Sequence, residues 1–162
     1  MKKLISIALL ASSASVGTVS AATDKSPVAP PAVDPLVAMY TWWNEAIATP
    51  GALTPEAFGR YFTDDGEIVI NGKVFAKGLP ALVEHFKVIQ AAGGHTETVL
   101  PFRHEFRSGN DIYSYQVIKS VRDGSTACLL AAGHAEVRNG KLAVVNLVRS
   151  PVDAASTPEC AH

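Results

Sequence analysis

Short turn signals cut the second half of the chain into strand-length pieces, and this spacing constrains the fold more than any other feature. They are Ser108-Gly109-Asn110, Asp123-Gly124 and Asn139-Gly140, with Asn71-Gly72 upstream. Asn-Gly and Asp-Gly accept the left-handed backbone that a two-residue hairpin needs. The pieces between them, 96–107, 111–121, 126–137 and 141–149, read as four strands of an antiparallel meander. Piece 96–107 alternates. Leu100, Phe102, His104 and Phe106 fall on one side and Arg103, Glu105 and Arg107 on the other, which predicts one buried and one wet face. Piece 126–137 is apolar on both sides, as expected of a central strand or of one whose outer face packs on another subunit.

Helical signals precede the meander. Leu36, Met39, Tyr40, Trp43 and Ile47 recur at steps of three and four after an Asp34 cap and Pro35, and Pro50-Gly51 ends that helix. Thr54-Pro55-Glu56 opens a second helix, read as running through Phe58, Tyr61 and Phe62 to an Asp64-Asp65-Gly66 turn. Residues 67–70 and 73–76 form a strand pair around Asn71-Gly72. Gly78-Leu79-Pro80 then starts a third helix with Leu79, Leu82, Val83, Phe86 and Ile89 on one face.

The N-terminus reads differently. Lys2 and Lys3, the apolar run 4–10 and the small residues Val19-Ser20-Ala21 predict a secretory signal peptide cleaved near Ala21. The run is much shorter than the ~20 residues of a membrane span, so a periplasmic or secreted chain with no membrane association after cleavage is expected. A proline-rich linker, 22–33, leads to one domain over 34–152, and 153–162 reads as a C-terminal tail. With 162 residues and 48 % hydrophobic content, one core is the expectation. Cys128 and Cys160, an even pair in an oxidising compartment, predict a disulfide, with two independent thiols as the alternative.

Several chemistries are disfavoured. A net charge of −1 and no basic run longer than two give nothing to neutralise phosphates, so no nucleic-acid partner is expected. The stretch 66–73 lacks the spacing and the Ser or Thr of a phosphate loop, and there is no dinucleotide fingerprint. The five histidines have no HxxxH or HxH spacing, so neither a metal nor a cofactor is expected.

The order of two helices, a strand pair, a helix and a four-stranded meander resembles the nuclear transport factor 2-like superfamily, which includes SnoaL-like cyclases and ketosteroid isomerase-like proteins. Tyr61-Phe62-Thr63-Asp64-Asp65, Lys77-Gly78 and Arg138-Asn139-Gly140-Lys141-Leu142 carry the local resemblance, which covers about 36–152. It implies an α+β cone: a strongly curved antiparallel sheet wrapped around three helices, with a mostly apolar pocket open at one end. It also implies an outer sheet face that commonly forms a homodimer.

The same resemblance aligns the isomerase-type catalytic tyrosine with Trp43, the general-base aspartate with Ile70 and the proton-sharing aspartate with Leu130. The supporting tyrosines align with Phe62 and Phe86. Trp, Ile and Leu supply neither a base nor an oxyanion donor, so enolate chemistry of that type is not expected. Trp43, Phe62, Phe86, Phe102, His104 and Tyr115 are the predicted ligand-binding residues, and His104, His134 and Tyr115 the candidate acid–base groups. A His134–Glu136 dyad is a further option. Three functions follow: binding of a small apolar or aromatic molecule; a lyase, isomerase or hydrolase using His104 with Tyr115 or His134; and a dimeric partner-binding module.

Overall fold

The computed structural model describes residues 33–161. The predicted signal peptide and nearly all of the proline-rich linker lie outside the described residues. Helix α1 (Pro35–Ala46) begins where Asp34 Oδ1 accepts the Leu36 amide at 2.8 Å, and it buries Leu36, Met39, Tyr40, Trp43 and Ala46. Helix α2 (Pro55–Phe58) is capped by Thr54, whose hydroxyl accepts the Ala57 amide. It is a single turn. The predicted continuation through Phe62 is corrected: strand β1 (Phe62–Ile70) begins there, with Asp64 and Asp65 inside it. Gly59 ends the helix, Phe62 pairs beside Leu142, and the ladder claims what the helical spacing suggested. Strand β2 (Lys73–Lys77) returns through Asn71-Gly72, both at positive φ as the turn type requires.

Helix α3 (Leu79–Ala91) follows, burying Leu82 and Val83 and packing Leu79, Phe86 and Ile89 on the core. The remaining strands are β3 (His95–Thr98), β4 (His104–Ser108), β5 (Asp111–Arg122), β6 (Ser125–Arg138) and β7 (Lys141–Val152). One seven-stranded sheet results, ordered β2-β1-β7-β6-β5-β3, with β4 also on β5. The expected antiparallel sheet has one exception, a parallel β1–β7 pair. Bulges at Ile68/Val69 and Glu136/Val137 interrupt the ladders, as in strongly curved sheets. Strand β6 lies between β5 and β7, which accounts for its two apolar faces.

The predicted single strand 96–107 is corrected. It is two strands, β3 and β4, both on the same edge of β5. Thr98 pairs with Ile118 and His104 with Tyr115, so six steps of chain span three steps of partner. Pro101, after a cis peptide bond, has no amide to give a ladder. The three extra residues are an odd number, and an odd insertion reverses which side chains face inward. Phe102 therefore stays in the core while His104 and Phe106 are exposed.

The tail folds back onto the sheet. Cys128 and Cys160 form a disulfide in a small cluster with Val117, and the Arg103 guanidinium grips the Glu159 carboxylate with two hydrogen bonds of 2.7 Å. That pairing holds Glu159 well below the usual carboxylate range, at about 2.

Candidate functional site

The site follows from the sheet's two faces. Along β5, Ile112, Gln116 and Ile118 point toward the helices, while Tyr113, Tyr115 and Val117 point away. The inner face of β7 presents Val145, Leu147 and Arg149 in the same alternation. Between this face and helices α1 and α3 lies a cavity of about 90 Å³. Its free space is several times the ~10–15 Å³ that holds one water. Met39, Tyr40 and Trp43 line it from α1, His85, Phe86 and Ile89 from α3, and Ile68, Ile70, Val145 and Leu147 from the strands. Those helices are held in place by polar ties. Asn44 exchanges hydrogen bonds of 2.8 and 2.9 Å with the Thr98 backbone, and the Gln90 amide donates to the carbonyls of Ala46, Ile47 and Thr49 at the end of α1.

The polar groups lining the cavity are few: Tyr40, Trp43, His85, Thr96, Thr98 and Arg149. Gln116 Nε2 donates to the Tyr40 hydroxyl at 3.1 Å, and burial pushes that phenol up to about 12, so it stays protonated and keeps its proton to give. Trp43 is 5 % exposed, and among the described residues its indole N–H has no partner. A buried, unpaired N–H costs ~1–3 kcal/mol, a penalty that a ligand acceptor would relieve. Burial, reinforced by the charge of Arg149, lowers the His85 pKa. Arg149 is fixed by Asn71, whose side chain accepts the Arg149 amide at 2.9 Å and donates to its carbonyl at 3.3 Å. Its guanidinium lies over Phe75, 5.7 Å from the ring centre, and Phe75 also meets His85 edge-to-face at 5.0 Å. Among the described residues no Asp or Glu lines the cavity. Among the described residues no group of three metal-ligating side chains is assembled.

Of the six residues expected to bind a ligand, Trp43 and Phe86 line this cavity. Phe62 and Phe102 are corrected to core positions: Phe62 is fully buried beside Phe58, and Phe102 packs edge-to-face on Tyr40 at 5.8 Å. His104 and Tyr115 are corrected to the outer face, where their rings stack at 6.2 Å. The reversal at Pro101 moves His104 there. His134 is also outside, bonded to Asp111 at 3.0 Å, so Asp111 takes the place of the expected Glu136 partner. The three candidate acid–base groups share no inner cavity. Leu130, aligned with an isomerase aspartate, pairs with Val117 on the outer face, whereas Ile70 does line the cavity.

The other lining residues were not predicted, among them the ionisable Tyr40, His85 and Arg149. Arg149 continues the inward alternation of Val145 and Leu147, and that signal is visible in the sequence. His85 lies one step off the apolar stripe of α3, beside Phe86, and reaches the cavity half-buried.

The chain matches no protein-family model and no curated protein. Solved structures do resemble it. A SnoaL-like polyketide cyclase, so described as putative, from Jannaschia sp. CCS1 is 11 % identical with a TM-score of 0.57, covering 80 % of this chain and 92 % of its own. An NTF2-like protein of unknown function from Exiguobacterium sp. 255-15 is 16 % identical with a TM-score of 0.57, covering 74 % and 98 %. A ketosteroid isomerase-like protein from Catenulispora acidiphila, solved with trimethylamine, is 17 % identical at 0.53, covering 66 % and 81 %. TerC, co-crystallised with polyporic acid, is 15 % identical at 0.59, covering 73 % and 90 %. At these identities the likeness speaks to architecture, and with the curved sheet, the three helices and the enclosed cavity it leads to one conclusion: the chain carries the cone fold of the nuclear transport factor 2-like superfamily.

Proposed function

We propose that this protein is exported and binds a small apolar or single-ring molecule in the cone cavity, without isomerase-type catalysis. The observation that carries the reading is the cavity's composition: apolar and aromatic walls, no carboxylate, and an unpartnered Trp43 N–H. Proton abstraction next to a carbonyl needs a base, and Ile70 occupies the place the resemblance gives to one. Neighbours of this fold hold small molecules, trimethylamine in one and polyporic acid in another, which supports the cavity as the binding place. The Cys128–Cys160 bond is in keeping with an oxidising compartment. Titration with toluene, phenol and cyclohexanol should change tryptophan fluorescence in the intact protein and not in Ile89→Phe, which fills the cavity from α3. No response to any of them, or an equal response in the variant, overturns the reading. For export, intact mass of the periplasmic fraction should begin near Ala22; a full-length chain found only in the membrane contradicts it.

A second reading has its own observation. The outer face exposes Phe106 and Val148 at 62 % and 65 %, beside the stacked Phe106–Tyr113 and His104–Tyr115 rings. Such a patch is where a second copy of the chain would pack. Sedimentation should then give a homodimer that Phe106→Glu/Val148→Glu converts to monomer, while a monomeric parent protein refutes it.

A further inference from the structure

Arg149 is an unusual residue to close an apolar cavity. A guanidinium is charged at all working pH values, and bringing one toward an apolar chamber is unfavourable unless something negative meets it. Among the described residues no carboxylate is paired with it: the ion pairs engage Glu67, Glu97, Glu159, Asp34, Asp111 and Asp65 with other partners. Its backbone is clamped on both sides by Asn71, so the position of the side chain's root is built rather than incidental. Its charge is felt by its neighbours in the chamber, offsetting a little of the burial that raises the Tyr40 pKa and adding to the burial that lowers that of His85.

The second observation is independent. The Trp43 indole N–H is buried without a partner, and Tyr40 accepts from Gln116 and so keeps its own proton to donate. Arg149, Trp43 and Tyr40 are thus three donors, one of them charged, around apolar walls. A cationic or donor-only ligand would leave them unsatisfied. An anion with acceptor oxygens on one end and a hydrocarbon ring on the other satisfies both parts.

From Arg149, which rests on the Phe75 ring with no carboxylate partner among the described residues, and the orphan Trp43 donor we infer that the ligand is a single-ring monocarboxylate, its ring against Ile68, Phe86 and Val145 and its carboxylate met by Arg149. This rests on the cavity being the binding place and adds the charge of the occupant. A charge-assisted hydrogen bond contributes more than a neutral one, by roughly one to two powers of ten in affinity when the site is partly desolvated.

Calorimetric titration with benzoate, benzyl alcohol and benzylammonium separates the two levels. Benzoate should bind about ten- to a hundredfold more tightly than benzyl alcohol, and benzylammonium more weakly than both. Arg149→Met should erase the preference for benzoate, and an unaltered circular-dichroism spectrum shows that the variant is folded. Arg149→Lys, keeping the charge but not the fork, should fall between. If benzyl alcohol or benzylammonium binds as well as benzoate, or if Arg149→Met retains the preference, the charge inference fails and the cavity reading stands. If none of the three binds, both fail.

Discussion

Replacing Cys128 and Cys160 together by alanine should lower stability by about 3–4 kcal/mol. The bond joins residues 32 apart in sequence, and closing a loop of that size in the unfolded chain corresponds to ~12 cal/mol/K of entropy, or about 4 kcal/mol at room temperature. Two effects adjust this figure. Both cysteines are almost wholly buried against Val117, so the lost sulfurs weaken packing a little further. In the other direction, the Arg103–Glu159 fork still holds the tail, and the unbridged chain collapses partly when unfolded. For a domain of this size the change amounts to roughly 10–15 °C in melting temperature. Urea titration followed by circular dichroism measures it, and the slope m should rise, because the unbridged chain exposes more surface when unfolded. A variant melting within 3 °C of the parent, with unchanged m, would show that the disulfide does not restrain the unfolded chain.

Gly133 sits on the inner face of β6, where an added Cβ would lie 2.5 Å from Leu147 Cδ2 and 3.1 Å from Ser114 Oγ. Gly133→Ala should therefore cost about 1–3 kcal/mol in urea denaturation, by overpacking. Because Leu147 also lines the cavity, the same variant should bind toluene more weakly. The Glu159 carboxylate is held at about 2 in the fold, below its ordinary 4.5. Its contribution is then present above about 4.5 and lost as pH falls through about 2, so the stability gap between the parent and Glu159→Gln should be constant from pH 5 to 8 and close below that window.

Turn chemistry made much of the fold legible. Asn71, Asp123 and Asn139 adopt positive φ beside glycines because those pairs were chosen for it, and the hairpins fall where they stand. The helix starts were legible for a similar reason: Asp34 and Thr54 offer side-chain acceptors just before a proline that fixes φ. The candidate site was harder to read. Period-2 alternation carries a residue's side only as far as the ladder is unbroken, and Pro101 broke it between Thr98 and His104. A proline inside an apparent strand was the available warning. Arg149 was readable by the same alternation in β7, where nothing interrupts the register after Val145. The inclusion of His85 depends on how α3 packs against the sheet, and no local pattern encodes that. Phe62 was read as helical because its spacing from Phe58 fits one turn; pairing with Leu142 decided otherwise.

Binding inside the cone is most directly observed at the indole N–H of Trp43. The chain has two tryptophans, so a proton–nitrogen spectrum carries two indole signals, assigned by Trp42→Phe. Trp42 stacks on Tyr61 at 5.0 Å and does not line the cavity, which makes it an internal control. Saturation with toluene or benzoate should move the Trp43 signal and leave that of Trp42 nearly in place, with benzoate moving it downfield as the orphan N–H gains an acceptor. A Trp43 signal unmoved by either compound, or backbone shifts confined to His104, Phe106 and Tyr115 on the outer face, would contradict a ligand in the cavity.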